Sequence, residues 1–186
     1  MRTIEATNAT GALRLAVVVS TYHDFVTDRL QAGAVAALAA ANVPPDGVTI
    51  VRVPGAFEVP MAARRAAESG QFDAVVCLGC LIRGATHHFE YIASAVANGL
   101  MCAAGDTGVP MTFGVLTTNS IEEAIERAGE GPTNEGWEAA VAALEIATVV
   151  AQLPRRVVQE LLGAKGSRGS RGSRGSRGSR GSRFSR

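Results

Sequence analysis

Aromatic residues are scarce, at 5% of the 186 residues, and the chain has three cysteines, Cys77, Cys80 and Cys102. So few cysteines, and an odd number of them, exclude a disulfide framework and fit a reducing compartment. No run of about 18 apolar residues occurs, so a membrane-spanning helix is not expected. Met1–Thr10 is short and polar; it lacks the apolar core of a secretion signal, and a cytoplasmic location is expected. No glycine turn ends in Gly-Lys-Ser/Thr and no G-x-G-x-x-G occurs, which excludes the phosphate loop and the dinucleotide fingerprint. Cys77-x-x-Cys80 has thioredoxin-type spacing, but it lies inside an apolar run. Redox cysteines sit at helix N-termini, where the thiolate is stabilised, so these read as core residues. No second Cys/His pair completes a zinc site, and no metal is expected.

What is present divides into two parts. Hydrophobic residues make up 47% of the chain, enough for one domain with a sizeable core. The net charge of +1 hides an asymmetry: Lys165–Arg186 holds one Lys, seven Arg and no acid, which leaves −7 on the rest. Gly166–Arg183 is six Gly-Ser-Arg triplets. Such a segment cannot bury apolar surface and is expected to be disordered; without proline it is not collagen. It either attracts nucleic acid weakly and without sequence preference, through phosphate charge, or is a tag or low-complexity end with no role. The expected organisation is an N-terminal arm at 1–12, a domain at 13–164 and a basic tail at 165–186.

Apolar, β-branched runs predict strands at Leu13–Ser20, Val48–Val53, Asp73–Gly79 and Met111–Leu116. Helical spacing predicts helices ending near Asn42, over Val59–Ser69, from about His87 to Ala104, from Ser120 to about Ala128, and over Trp137–Leu153 with an extension beyond Pro154. Gly99 should weaken the third helix locally. Ser120 with Glu123 three residues on reads as a capping box. Strands alternating with helices imply a parallel sheet covered on both faces. The expected fold is α/β: a three-layer αβα sandwich with a four-stranded parallel sheet, flavodoxin-like in architecture.

The segment Gly79–Ile92 reads Gly-Cys-Leu-Ile-Arg-Gly-Ala-Thr-His-His-Phe-Glu-Tyr-Ile. Strand, glycine turn and helix start is where open α/β sheets bind ligands. The free N–H groups of a helix N-terminus suit an anion, Thr86 adds a hydroxyl, and His87 and His88 follow. The plain alternative is an ordinary capped strand-to-helix junction. Strand carboxyl ends share one rim in this fold, which would gather Tyr22, Pro54–Glu58, Leu81–His88 and Phe113–Thr117.

The motifs Val51–Pro60, Gly79–Ile92, Pro110–Thr117 and Ile125–Gly129 occur in order, with family-like spacing. On them the chain resembles the 6,7-dimethyl-8-ribityllumazine synthase family, over about Leu13–Leu153. The resemblance implies a transferase of riboflavin biosynthesis that needs no cofactor. It condenses 5-amino-6-(D-ribitylamino)uracil with L-3,4-dihydroxy-2-butanone 4-phosphate. It further implies a homo-oligomer, a pentamer or a 60-subunit shell. Tyr22 matches the aromatic that stacks on the pyrimidine, and Ala56, Phe57 and Glu58 match the segment holding the ribityl chain. Leu81 and Ile82 match the segment that lines the pyrimidine. Ala85 and Thr86 match the phosphate-binding turn, and Arg83 is counted with the substrate-binding residues. His88 matches the proton-transfer residue, since an imidazole takes and gives a proton near neutral pH; His87 is expected to be a bystander. Phe113 and Arg127 match residues delivered by a neighbouring subunit, with Arg127 pairing the phosphate. In one departure, Glu135 stands where the family commonly has Lys. Alternatives are a flavin- or nucleotide-binding flavodoxin-like protein, or a structural shell whose tail binds nucleic acid.

Overall fold

The apolar run Leu15–Ser20 forms β1, and all six of its residues are buried. A strand that is apolar at consecutive positions needs cover on both faces. The computed structural model, which describes residues 1–8, 10 and 13–154, provides it. Leu15, Val17 and Val19 join one core cluster with Val26 and Leu30 of α1 (Asp24–Ala40), and with Ala140 and Leu144 of α5 (Glu135–Ala151). Ala16 and Val18 join the opposite cluster with Val59 and Ala63 of α2 (Val59–Glu68), and with Val96 and Leu100 of α3 (His88–Thr107). This alternation is the two-residue period of a strand. The short α4 (Ile121–Arg127) adds Ala124 to the first cluster.

With β2 (Val48–Val53), β3 (Ala74–Ile82) and β4 (Met111–Thr118), the four strands form one parallel sheet in the order β2-β1-β3-β4. The expected αβα sandwich is therefore observed. The chain leaves β1 toward β2 on one side and β3 toward β4 on the other. The carboxyl ends of β1 and β3 thus flank the point where the strand order reverses, the usual ligand crevice of such sheets.

Met1–Leu153 forms one compact unit. Thr7 N–H donates to Thr148 Oγ1 at 3.1 Å and Gln152 Nε2 donates to the Glu5 carbonyl at 2.8 Å, so the N-terminal arm is bonded to α5 and the residues just after it. The expected boundary at 164, the extension beyond Pro154 and the repeat tail lie outside the described residues.

Several expected boundaries move. β3 continues to Ile82 and β4 to Thr118, because the ladder runs on from Gly79–Val115 to Ile82–Thr118. Gly79 is thus a strand residue, and the turn is Arg83–His87. α1 stops at Ala40, since the Ala41 N–H closes on Ala37 and Asn42 takes a left-handed φ of 61°. Gly99 does more than weaken α3. A Cβ there would lie 2.9 Å from Pro60 Cβ, so this glycine permits the close crossing of α2 and α3. Ser120 caps α4 by accepting from the Glu123 N–H at 3.2 Å, while Glu123 accepts from Asn119 N–H, not from Ser120.

Cys77 and Cys80, three residues apart on one strand, point into opposite core clusters. They cannot act as a vicinal pair. Burial pushes the Cys77 thiol up and that of Cys80 up to about 11, which keeps both protonated and unreactive.

Candidate active site

A first cleft of about 1000 Å³ opens at the carboxyl ends of β1 and β3. Tyr22 reaches it from the loop after β1, and Ala56, Phe57 and Glu58 from a single 3-10 turn after β2. Leu81 and Ile82 come from the end of β3, Thr86 from the turn that follows it and His88 from the start of α3. The fold positions them for identifiable reasons. Gly79 leaves room for Ala56, which is buried and anchors the turn, so that Phe57 next to it stays 60% exposed. Tyr22 is 64% exposed and presents its ring at the mouth. No side chain caps the N-terminus of α3 at His87, which leaves its positive end available to an anion.

Two residues chosen from the sequence stand in the same loop but outside this wall. Ala85 is exposed. Arg83 turns to the first turn of α3 and to the loop after β4: it pairs with Glu90, lies 4.7 Å from the centre of the Phe89 ring and donates to Asn119 Oδ1 at 3.2 Å. The Glu90 carboxyl is held below the usual carboxylate range, first by its own backbone N–H and then by Arg83, against an opposing desolvation. The side chain of His87 is 91% exposed and does not line the cleft.

Sequence reasoning passed over His23. It lines the cleft beside Tyr22, in a left-handed conformation with φ 61°. Its ring meets Tyr22 edge-on at 4.5 Å and Phe25 at 5.7 Å. Burial lowers its pKa and favours the neutral ring. Its position between Tyr22 and the helix start was a usable signal.

Phe113 and Arg127 lie elsewhere, together, in a second cleft of about 1040 Å³ built by β4, α4 and the start of α5. Phe113 is on the edge strand and 47% exposed. Around Arg127 stand Glu123, Glu126, Glu135 and Glu138. Arg127 Nη1 is paired with Glu135 Oε1 at 2.8 Å.

Asn134, also passed over, fixes this corner. It is 2% exposed. Its Oδ1 accepts from the N–H groups of Gly136 and Trp137, capping α5, while Nδ2 donates to the carbonyls of Arg29 and Gly129. A Cβ at Gly136 would collide with the Leu30 carbonyl, so α5 starts where only glycine fits against α1. An Asn followed by acidic residues ahead of an apolar run is a helix-start signal that was legible.

The family model for 6,7-dimethyl-8-ribityllumazine synthase matches residues 12–151. The chain belongs to that family. A 6,7-dimethyl-8-ribityllumazine synthase of Syntrophus aciditrophicus (strain SB) is 47% identical over 141 residues, covering 76% of this chain and 92% of that protein. As a lumazine synthase family member the chain is an enzyme, a transferase of riboflavin biosynthesis; a flavin carrier or a purely structural shell is not favoured. Among the described residues no helix is long and apolar enough to cross a membrane. No group of three or more His, Cys, Asp or Glu side chains among them is placed to hold a metal ion.

Proposed function

We propose that this chain condenses 5-amino-6-(D-ribitylamino)uracil with L-3,4-dihydroxy-2-butanone 4-phosphate, giving 6,7-dimethyl-8-ribityllumazine, phosphate and water. The pyrimidine stacks on Tyr22 between the Leu81–Ile82 strand end and Phe57, and Glu58 accepts the ribityl hydroxyls. The amine attacks the ketone and water leaves to form an imine. Phosphate is then eliminated and the second amine closes the ring, with loss of water. Each step moves a proton, and His88 at the cleft wall is the group that gives and takes it. The Ala85–Thr86 turn and the first turn of α3 receive the phosphate, and Arg127 completes that site.

The observation that supports this reading most is the division between the clefts. Tyr22, Glu58 and His88 line one, Phe113 and Arg127 the other. We place the active site where the second cleft of one copy closes over the first cleft of the next. Such a head-to-tail interface closes into a ring, here a pentamer, free or as part of a 60-subunit shell, acting in the cytoplasm. On such an assembly the arginine repeats form a multivalent polycation that holds nucleic acid weakly and releases it in salt.

The direct test supplies both substrates without added metal and follows lumazine and inorganic phosphate together. The two should appear in equal amounts, and neither substrate alone should release phosphate. Phosphate release without lumazine would contradict the proposed reaction.

A further inference from the structure

Arg127 is paired within its own chain, with Glu135. We propose that Glu135 is a specificity-determining residue of the phosphate corner: its carboxylate is an internal competitor for Arg127, and the phosphate of the sugar substrate must displace it. This rests on the functional reading above and deepens it.

Both ends of the pair are anchored. Arg127 is the last residue of α4 and Glu135 the first of α5. Asn134, buried and bonded to four backbone groups, prevents α5 from drifting away. The two side chains therefore meet by construction, across eight residues of sequence. The contact uses one guanidinium nitrogen, Nη1, at 2.8 Å, and leaves the planar fork incompletely used. A phosphate can take two N–H groups at once, so it can outcompete a single-point carboxylate. The competition has a cost, however. Glu123, Glu126 and Glu138 line the same cleft, so a released Glu135 stays among like charges, close to the phosphate it admitted. Binding of the phosphorylated substrate is thereby weakened, while the pyrimidine, bound in the other cleft, is unaffected.

Steady-state kinetics on the intact assembly tests this. Glu135→Gln should lower the KM for the sugar phosphate about two- to fivefold, and Glu135→Lys about three- to thirtyfold, both shrinking in high salt because the charges are exposed. The KM for the pyrimidine should stay put. Arg127→Ala should raise the sugar-phosphate KM more in the Glu135→Gln background than in the parent, because only there is the guanidinium free. Glu138→Gln controls for bulk charge: it removes a carboxylate from the same cleft that is not paired with Arg127, and should shift the KM less than Glu135→Gln. Titration with inorganic phosphate reads the same competition without catalysis, and so separates failure of this proposal from failure of the reaction assignment. If phosphate binds no tighter to Glu135→Gln than to the parent, or Glu138→Gln has an equal effect, Glu135 is not a competitor for Arg127.

Discussion

One sheet builds both clefts, yet they differ in almost every physical respect. The cleft at β1 and β3 lies at the reversal of strand order and is walled mainly by apolar and aromatic side chains, with two imidazoles, His23 and His88, and one carboxylate, Glu58, among them. The cleft at β4 lies along an edge strand and is polar, with one guanidinium among four carboxylates. The first can hold a flat ring and move protons. The second can recognise an anion, but its cation is already paired. Neither combines a ring platform, an imidazole and the Arg127 guanidinium. On the proposed reading, the difference means that the chain carries the residues of the reaction without containing one complete site. Phe113 on the edge strand and Tyr22 and Phe57 at the mouth of the first cleft are all exposed, and on the proposed reading they form two halves of a contact.

Substitutions at four residues test the two clefts. The largest effect belongs to the first. His88→Ala should slow product formation by about one to three orders of magnitude, as for loss of an acid–base group, with little change in the KM for the sugar phosphate. His87→Ala should be nearly silent, since that ring is exposed off the cleft. A damaging His87→Ala beside a silent His88→Ala would reassign the proton shuttle.

Next, Asn134→Ala acts on the second cleft alone. It removes the cap of α5 and leaves the Arg29 and Gly129 carbonyls without their donor. Chemical denaturation should show a loss of about 2–4 kcal/mol. Of the two substrates, only the sugar phosphate should bind differently to the folded protein, because the Arg127–Glu135 geometry depends on this cap. A larger change for the pyrimidine would mean that the clefts are not independent.

The smallest effect concerns His23. Its pKa is lowered in the fold by burial, so the unfolded chain binds the proton at higher pH than the folded one. This contribution to stability is complete above the ordinary imidazole value of about 6.5 and is lost as pH falls from there through the lowered folded value. His23→Asn, which tolerates the left-handed backbone, should reduce the drop in melting temperature between neutral and mildly acidic pH. An unchanged drop would mean that His23 adds nothing to the acid sensitivity.

How much of this was legible in the sequence follows from the range of the forces involved. Leu15–Val19 and Ala74–Leu78 are apolar at every position, which only a doubly covered strand requires, so the layers could be read. The ends of β3 and β4 could not. Gly79 and the polar Thr117–Thr118 look like turn residues, and only pairing with the neighbouring strand keeps them extended. Tyr22, Ala56, Phe57, Glu58, Thr86 and His88 of the first cleft were legible because they follow strand ends closely, whereas His23 beside them was missed. That Phe113 and Arg127 share a separate cleft was not, since it depends on β4 being the sheet edge. The Arg127–Glu135 pair was invisible for a related reason. Its geometry is set by Asn134 holding backbone groups of α1 and of the loop before α5, contacts that no local pattern announces.

The central claim, that a working site takes one cleft from each of two copies, is tested most directly by mixing. Arg127→Ala and His88→Ala subunits, each strongly impaired alone, are unfolded together, reassembled in equal amounts and verified as mixed assemblies. In a ring of head-to-tail contacts, about a quarter of interfaces then join an intact first cleft to an intact second one. Activity should rise well above the sum of the two parents, toward that fraction of the unmodified enzyme. Verified mixed assemblies no more active than their parents would show that each site lies within a single chain.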